Sequence, residues 1–415
     1  MEAPNQDVIV IGAGVIGLAT AYELAKRGLQ VTVLEEKEPG WAASHGNAGM
    51  IFPSAGEPMI NPHHMKAGLK WMLTRGRQSP MQVSFLQLPG LIGWGLRVLK
   101  ACNQRNYEEG KEAFGKLGAD VLQQYDDYKQ DGVEYEEFAN EFLAVFLDKK
   151  IHQEMVDSLG GTPGVKIFNG NEARELEPLL SENVVGAGQL RGSFKSVYPP
   201  SVTAGLAKRL KSMGVNIRTG IRVAGANRTG RKVDSLRTAT GQTLKADHFV
   251  VAAGGWSGKI AKMLGSRVPI TGGKGYCINI MDPDSAPGQT LFLSEYEAVV
   301  IPFNGSVRLT GFMEVSGVNM RILPRRIKAL REVTGRYLKK VPEGKTEVEW
   351  TGMRACTPDG VPLIGQLKGL DNAWIGSGHW HFGMTLAPPT GLMLAELITT
   401  GQSTVENKPF SPSRF

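Results

Sequence analysis

Three observations predict an α/β fold whose second unit is α+β. Near the N-terminus, DVIVIGAG reads as an apolar strand running straight into a glycine turn, and a helix-period segment follows. The strand–helix–strand alternation then stops, and comparable signatures return only near residues 200 and 370, so the first unit is discontinuous in sequence. The length of 415 residues exceeds one usual domain, while 41% hydrophobic and 21% charged residues are those of an ordinary globular chain.

The N-terminal elements carry the most information. Residues 7–14 form a buried parallel strand ending in glycine, VIGLATAYELAKRG has helical period and closes on Gly28, and LQVTVLEEK is a second strand ending in acid. Gly12, Gly14 and Gly17, with Ala13, Val15 and Ile16 between them, make a GxGxxG turn in a βαβ unit. Gly12 permits the tight turn, Gly14 lets a pyrophosphate approach the backbone, and Gly17 brings helix and strand together. The helix N-terminus offers free N–H groups and its dipole to the phosphates. Glu35, with Glu36 beside it, ends the second strand, where a carboxylate accepts ribose hydroxyls and repels a 2′-phosphate. The expected ligand is therefore FAD or NAD, not NADP.

The rest of the chain decides between them. A nicotinamide enzyme usually continues with further βα units; here WAASHGNAGMIFPS, residues 41–54, is a loop of small residues whose backbone suits a flavin. A helical segment covers roughly 65–129. The α/β signature resumes with the helix PPSVTAGLAKRLKSMG, short strands to about 241, and ADHFVVAAGGWSGKIAKML, a strand, a Gly-Gly turn and a helix. A dinucleotide unit interrupted by a substrate unit favours FAD.

Bulk properties exclude other classes. The balance of 47 Lys plus Arg against 40 Asp plus Glu leaves +7, with no dense basic run and no expected nucleic-acid partner. The excess suits an anionic substrate or membrane surface. Cys102, Cys277 and Cys356 are isolated, which argues against a disulfide framework or cysteine metal site and for a reducing interior. No signal peptide is read at the start and no apolar run spans a bilayer. LPGLIGWGLRVLKAC, residues 88–102, reads as an amphipathic helix, either packed on the core or lying on a membrane.

The segments VIVIGAGVIGLATAYELAKRGLQVTVLEE, ASHGNAG, LIGWGLRVLKACN, KGYCINI, WTGMRACTPDGVPLIG and GHWHFGMTLAPPTG together resemble the D-amino-acid oxidase superfamily of FAD-dependent amine oxidoreductases. Within it the chain is most similar to the D-amino-acid dehydrogenase and D-hydroxyproline dehydrogenase branch. The resemblance implies a Rossmann-like FAD-binding domain of glutathione-reductase type and a discontinuous mixed-sheet substrate domain. Expected bounds are 1–75, 170–265 and 345–415 for the first, and 76–169 and 266–344 for the second. It implies that Gly12, Gly14, Gly17 and Glu35 hold pyrophosphate and ribose. Ser44, Asn47 and Ala48 would line the flavin side, Val223 would hold adenine through its backbone, and Gly254 and Trp256 would pass near the diphosphate, Trp256 being equally well a core residue.

In the last segment, AWIGSG is expected as a strand and TLAPPTGLMLAELI as a helix from Thr385 with prolines in its first turn. The loop between them, with Gly378, His379, Gly383 and Met384, would present N–H donors and a helix dipole to the negative charge of a reduced flavin. His379 and His381 find no matching histidine pair elsewhere, so no metal is expected. His381 stands where glycine-oxidase-like relatives place an arginine, and it is expected to border the substrate as a pH-dependent cation.

Arg354 is the expected anchor for a substrate carboxylate. It lies in the alternating strand TEVEWTGMRAC, arginine offers the matching planar fork, and the resemblance places the family's anchor there; an ion pair with Asp359 is the alternative. Tyr276 and Tyr296 are each either pocket hydrogen-bonding groups or packed strand residues. Lys274 is a weaker candidate for the flavin edge.

The expected reaction is oxidation of the Cα–N bond of a small amino or imino acid by hydride transfer to noncovalent FAD. Cys356 does not match a covalent-attachment motif. Electrons would pass to a non-oxygen acceptor such as a quinone or an electron-transfer protein. An O2-using oxidase of glycine, sarcosine or another amine, and a non-catalytic FAD-binding subunit, are the alternatives. The expected location is cytoplasmic, on the inner face of the membrane if peripheral; oligomeric state and substrate stereochemistry are not legible.

Overall fold

The computed structural model describes residues 7–52, 57–84, 88–139, 141–162, 164–190 and 194–415. Residues 1–6, and residues 53–54 that end the small-residue loop, lie outside the described residues. The N-terminal unit forms as expected: β1 (Asp7–Ile11), α1 (Val15–Lys26) and β2 (Gln30–Leu34), with β1 and β2 parallel from Asp7↔Gln30 to Ile11↔Leu34. Alternating and continuous apolar residues bury β1 on both faces, which is why it can sit inside a parallel sheet.

Six strands make that sheet, in the order Asn216–Arg218, β2, β1, His248–Val251, Ala373–Ser377 and Leu363–Gln366, the last pair antiparallel and the others parallel. Its strands come from three distant stretches of chain. The C-terminal helix Gly383–Thr400 lies against α1 so closely that a Cβ at Gly391 would fall 2.5 Å from the Ala19 carbonyl oxygen. Small residues at this crossing bring the two helices that flank the glycine turn into one layer.

The second sheet has nine strands and runs Gly344–Cys356, Thr271–Pro283, Ser306–Val315, Ala298–Phe303, Thr290–Leu293, Phe142–Phe146, Gly186–Leu190 and Val165–Asn169, with Met81–Val83 paired on Ser306–Val315. Gly186–Leu190, from a segment the sequence assigned to the first unit, pairs here instead, as does nearly all of Gly344–Cys356. The mixed α/β fold class is as expected.

The helical segment is not continuous. It comprises α2 (Pro62–Thr74), the strand Met81–Val83, α3 (Leu88–Ala101), α4 (Gln104–Gly118) and α5 (Val121–Gln130). In α3, Val98 is buried with Ile60, Cys356 and Trp380, whereas Ile92, Leu96 and Leu99 are 61%, 63% and 69% exposed. At spacings of four and three residues these three share one outward stripe. No helix among the described residues is long and apolar enough to cross a membrane.

Candidate functional site

The glycine turn has the geometry its spacing requires. Gly12 has φ +110°, and a Cβ there would lie 2.5 Å from the Ala252 carbonyl oxygen; a Cβ at Gly17 would lie 1.9 Å from the Gly12 carbonyl oxygen. Only glycine fits both positions. In front of Gly14 the nearest atom to such a Cβ is Ser44 Oγ at 3.5 Å, which leaves room for a ligand to approach. The Val15 N–H donates to Ser44 Oγ (3.0 Å), while Ile16 and Gly17, in the first turn, have no intrahelical acceptor. Glu35 reaches back over the turn, accepting from Ala13 N–H (2.8 Å) and Lys37 N–H (2.9 Å). Glu36 is exposed near Arg222. A free helix N-terminus facing open space beside a carboxylate fits a dinucleotide diphosphate and ribose.

The loop that follows is pinned by a residue the sequence reading missed. Asn47 Nδ2 donates to the Ser44 carbonyl (3.0 Å), and its Oδ1 accepts from Gly49 N–H (2.7 Å). Arg308, 1% exposed, donates from Nη1 to the carbonyls of His45 (3.0 Å) and Asn47 (2.7 Å) and from Nε to Asn279 Oδ1 (2.6 Å). Ala48 packs against the core cluster of Val299, Ile301 and Phe303. A buried arginine in a strand is a detectable anomaly, but its two acceptors in this loop lie 263 and 261 residues away, beyond any local pattern.

Val223 begins a strand that pairs with Thr238 and is buried in the adjoining core. Gly254 (φ +52°) opens a short turn with Trp256, its carbonyl accepting from Ser377 Oγ (3.1 Å) and its Cβ position free of neighbours within 4 Å. Gly255 in that turn abuts Met353, beside Arg354.

The C-terminal loop is stapled to the Arg354 strand. Trp380 N–H donates to the Ala355 carbonyl (2.9 Å), and His379 bridges Cys356 in antiparallel fashion. Gly378 (φ +88°) sits where a Cβ would meet Thr357, and Trp380 itself is held at φ +53°. The helix begins at Gly383, two residues earlier than expected, so Pro388 and Pro389 fall inside it and not in its first turn. The reason it survives is visible: Pro388 cannot donate to the Met384 carbonyl, and Tyr125 OH donates to that carbonyl instead (2.7 Å). Gly383, Met384 and Thr385 thus hold the free N–H groups of the first turn.

His379 is buried and its Nε2 bonds Thr390 Oγ1 (2.9 Å); burial pushes its pKa down to about 3, so the ring is neutral at ordinary pH. His381 is exposed, its ring 4.0 Å from that of Phe382. No group of three or more His, Cys, Asp or Glu side chains able to hold a metal occurs among the described residues.

Arg354 lies opposite Gly273 in the sheet, and its guanidinium lies over Gly275: a Cβ there would be 2.5 Å from Nη1. Nη1 donates to the Phe312 carbonyl (2.8 Å). Phe312 stands at φ +64° in a bulge where the register shifts between Lys274 and Tyr276, and the bulge aims that carbonyl at the arginine. Asp359 is not its partner; Asp359 binds Arg414 through both oxygens (2.7 and 3.2 Å). Among the described residues no carboxylate lies within ion-pair distance of Arg354. Burial lowers its pKa, opposed by nearby Cys356 and Glu297. The Cys356 thiol is pushed up to about 12 by burial, so it is no nucleophile at neutral pH.

Of the two alternatives for Tyr276, the packed strand residue is the one the structure has. Side chains alternate along a strand, so Gly273 and Gly275 share the face of Arg354, and Lys274 and Tyr276 project from the other. There Tyr276 is fully buried and donates to Glu314 Oε2 (2.8 Å), which also pairs with Lys274 Nζ (3.0 Å). Burial and Glu314 raise the Tyr276 pKa far out of reach. Lys274, by the same geometry, is a core ion-pair residue and not a flavin-edge group. Tyr296 is engaged by Arg336 at its hydroxyl, and Arg75 stacks on its ring at 4.7 Å. Beside it stands Glu297, also unforeseen, at φ +47°.

With this geometry in view, comparison with known proteins is decisive. A family model described as FAD dependent oxidoreductase matches residues 7–397. The chain belongs to this family. Among curated relatives, a D-amino acid dehydrogenase of Methylobacterium sp. (strain 4-46) is 29% identical over 98% of this chain and 99% of its own. Among solved structures, glycine oxidase from Geobacillus kaustophilus superposes with TM-score 0.73 at 20% identity, covering 99% of both chains. L-proline dehydrogenase from P.horikoshii does so with TM-score 0.73 at 20% identity over 99% of this chain and 98% of that one. The protein is an FAD-dependent oxidoreductase.

Proposed function

We propose that the protein oxidises the Cα–N bond of a small D-amino or D-imino acid, of proline or hydroxyproline type, and passes the electrons to an acceptor other than oxygen. The observation that carries this reading is Arg354: a part-buried guanidinium without a carboxylate partner among the described residues, aimed by Gly275 and Phe312, on a strand stapled to the 378–382 loop. A planar fork so prepared takes a carboxylate in two hydrogen bonds and fixes the orientation of Cα.

In this reading FAD is held without a covalent bond. Residues Gly12 to Gly17 and Glu35 take the diphosphate and ribose, the Val223 main chain the adenine, and Gly254 and Trp256 pass by the diphosphate. Ser44, Asn47, Ala48, Gly378, His379, Gly383, Met384 and Thr385 surround the flavin. When bound, FAD supplies the two-electron acceptor for the Cα hydride. The N–H groups of the last helix's first turn and its dipole favour negative charge at the ring. His379, neutral and bonded to Thr390, is no acid at ordinary pH, and the exposed His381 borders the substrate. The substrate therefore reacts as its neutral amine, and the imine released hydrolyses to a 2-oxo acid and ammonia or, from a cyclic imino acid, is a pyrroline carboxylate.

The acceptor side of the proposal rests on α2 and α3. From residue 58 to 107 there is no Asp or Glu, while Lys66, Lys70, Arg75, Arg77, Arg97, Lys100 and Arg105 are present; these seven charges equal the net +7 of the whole chain. The stripe Ile92, Leu96 and Leu99 stands outward on α3 beside the exposed Arg97 and Lys100. An apolar stripe flanked by cations suits the anionic inner face of a membrane, where a quinone is at hand.

Anaerobic mixing of the purified yellow protein with D-proline, hydroxy-D-proline, D-alanine, sarcosine and glycine tests the reading. Loss of the flavin band with a D-amino or D-imino acid, restored by a dye and hardly by air, supports it. Rapid reoxidation by air would make the protein an oxidase, and an unbleached flavin would remove the amino-acid substrate.

A further inference from the structure

Phe312 engages an arginine on each side of the second sheet. Its carbonyl accepts from Arg354 Nη1 (2.8 Å) on one side, while its ring lies on the other, in one core with Tyr276 and Ile327. On that second side stands Arg326, near the start of the helix Pro324–Tyr337 and fully buried. Its guanidinium lies 4.1 Å from the centre of the Phe312 ring and 5.9 Å from that of Tyr276. Nη1 donates to the carbonyls of Arg77 (2.7 Å) and Ser79 (3.0 Å), whereas Nε and Nη2 are buried with no acceptor among the described residues. Glu314, the carboxylate of this core, is committed to Lys274 and Tyr276. Burial lowers the Arg326 pKa only to about 10, so its charge persists at neutral pH.

An arginine so placed has neither water nor a carboxylate to offset its burial, and the electron-rich face of Phe312 is what it has left; a cation over an aromatic ring is held more strongly when both are desolvated. Phe312 needs that hold. Its φ of +64° is one that a bulky residue adopts only at a cost, and relaxation to a negative φ would turn its carbonyl away from Arg354. The chain on either side is gripped as well. Met313 N–H donates to the Pro80 carbonyl (2.6 Å), and Met313 to Val315 pair with Met81 to Val83. Through Arg77 and Ser79 the same Arg326 fixes the segment that leads into this pairing.

We propose that Arg326 is a positioning residue for the substrate carboxylate: it holds Phe312 in its left-handed conformation and thereby aims the fork of Arg354. This rests on the amino-acid reading above. Arg326 acts from the far side of the sheet, through one ring and one carbonyl. A displacement of about 1 Å in an orienting group can cost ~100-fold in rate, so the device has consequences although Arg326 stands away from the reacting atoms.

The test uses the holoprotein and benzoate, a carboxylate that cannot be oxidised, with binding read from the shift of the flavin spectrum; KM and kcat for D-proline are measured beside it with a dye acceptor. Arg326→Met and Phe312→Leu are each expected to weaken benzoate binding ~10-fold or more and to raise KM by more than they lower kcat. Arg326→Lys, which keeps a cation at the ring, recovers part of the affinity. In an Arg354→Met background, where no fork is left to aim, Arg326→Met has no further effect on benzoate. Flavin content reports whether each variant keeps its fold, and Phe312→Leu, which leaves the hydrogen bonds of Arg326 in place, carries the test if Arg326→Met loses flavin. Unchanged benzoate affinity in Phe312→Leu, losses from Arg326→Met and Arg354→Met that multiply, or a lysine variant no better than the methionine one overturns the positioning role and leaves Arg354 as the anchor. A wild-type flavin that responds to no carboxylate, or an Arg354→Met protein that binds benzoate as tightly as the wild type, brings down the amino-acid reading as well.

Discussion

Trp94 donates its indole N–H to the main-chain carbonyl of Cys356 (3.3 Å), and its ring leans toward Trp380 at 6.5 Å. One side chain of the outward helix α3 therefore touches both the strand that carries Arg354 and the loop that opens the last helix. The outer stripe of α3 is exposed while its inner face, through Trp94, rests on that strand and loop.

Membrane docking follows from the stripe and its charges. The protein is expected to co-sediment with vesicles containing phosphatidylglycerol and not with neutral phosphatidylcholine vesicles, with binding weakened by salt because each surface cation contributes about 1 kcal/mol. Leu96→Glu, at an exposed position, should abolish co-sedimentation while leaving dye-linked turnover in solution in place. Equal binding by wild type and Leu96→Glu would remove α3 as the docking element.

Arg354 and Gly275 should fail together. Arg354→Met is expected to lower kcat/KM at least ~100-fold, since a charge-assisted pair to a buried carboxylate is worth about 2–5 kcal/mol. Gly275→Ala places a Cβ 2.5 Å from Nη1, so it should displace the fork and raise KM without removing any functional group. Steady-state kinetics on both variants, with flavin content as the control, checks this.

Burial of His379 makes a statement about pH. Its folded pKa of about 3 lies below the unfolded value, so below that unfolded value the unfolded chain binds the extra proton. Its contribution is therefore present above the unfolded pKa and lost as pH falls from about 6.5 toward about 3, on the order of 2 kcal/mol between pH 6.5 and 4.5. Thermal melts of wild type and His379→Asn over this range should differ in slope with the wild type falling more steeply, and no kinetic inflection between pH 5 and 8 should disappear in the variant.

Tyr125 supports the helix that Pro388 interrupts. Tyr125→Phe leaves the Met384 carbonyl buried without a donor, which costs about 1–3 kcal/mol. A fall in Tm of about 1–3 °C is expected, and an unchanged Tm would show that the carbonyl is satisfied otherwise.

Much of this was legible in the sequence because it is local. Gly12, Gly14, Gly17 and Glu35 lie within 24 residues, and their roles follow from backbone sterics and strand periodicity alone. Arg354 could be named because it stands in an alternating strand. What alternation could not supply was the strand's partner and face: Tyr276 stood equally as a pocket group or a packed residue until the register, Tyr276 with Thr351 and Gly273 with Arg354, put it on the face away from Arg354. Arg308, Arg326 and Phe312 were silent, since each acts across contacts of long sequence separation or through a backbone angle that no residue pattern announces. Pro388 misled because the donor that replaces it at the Met384 carbonyl is Tyr125, 259 residues before Met384.

In the proposed function Arg354 presents a D-amino or D-imino acid to FAD for Cα oxidation. Anaerobic stopped-flow of the wild type and Arg354→Met with D-proline and L-proline measures it most directly. The account predicts saturable flavin bleaching of the wild type by the D-enantiomer, and in the variant an apparent affinity weaker by ~100-fold or more with the flavin still bound. Bleaching of the variant at wild-type affinity, or of the wild type by the L-enantiomer alone, would contradict it.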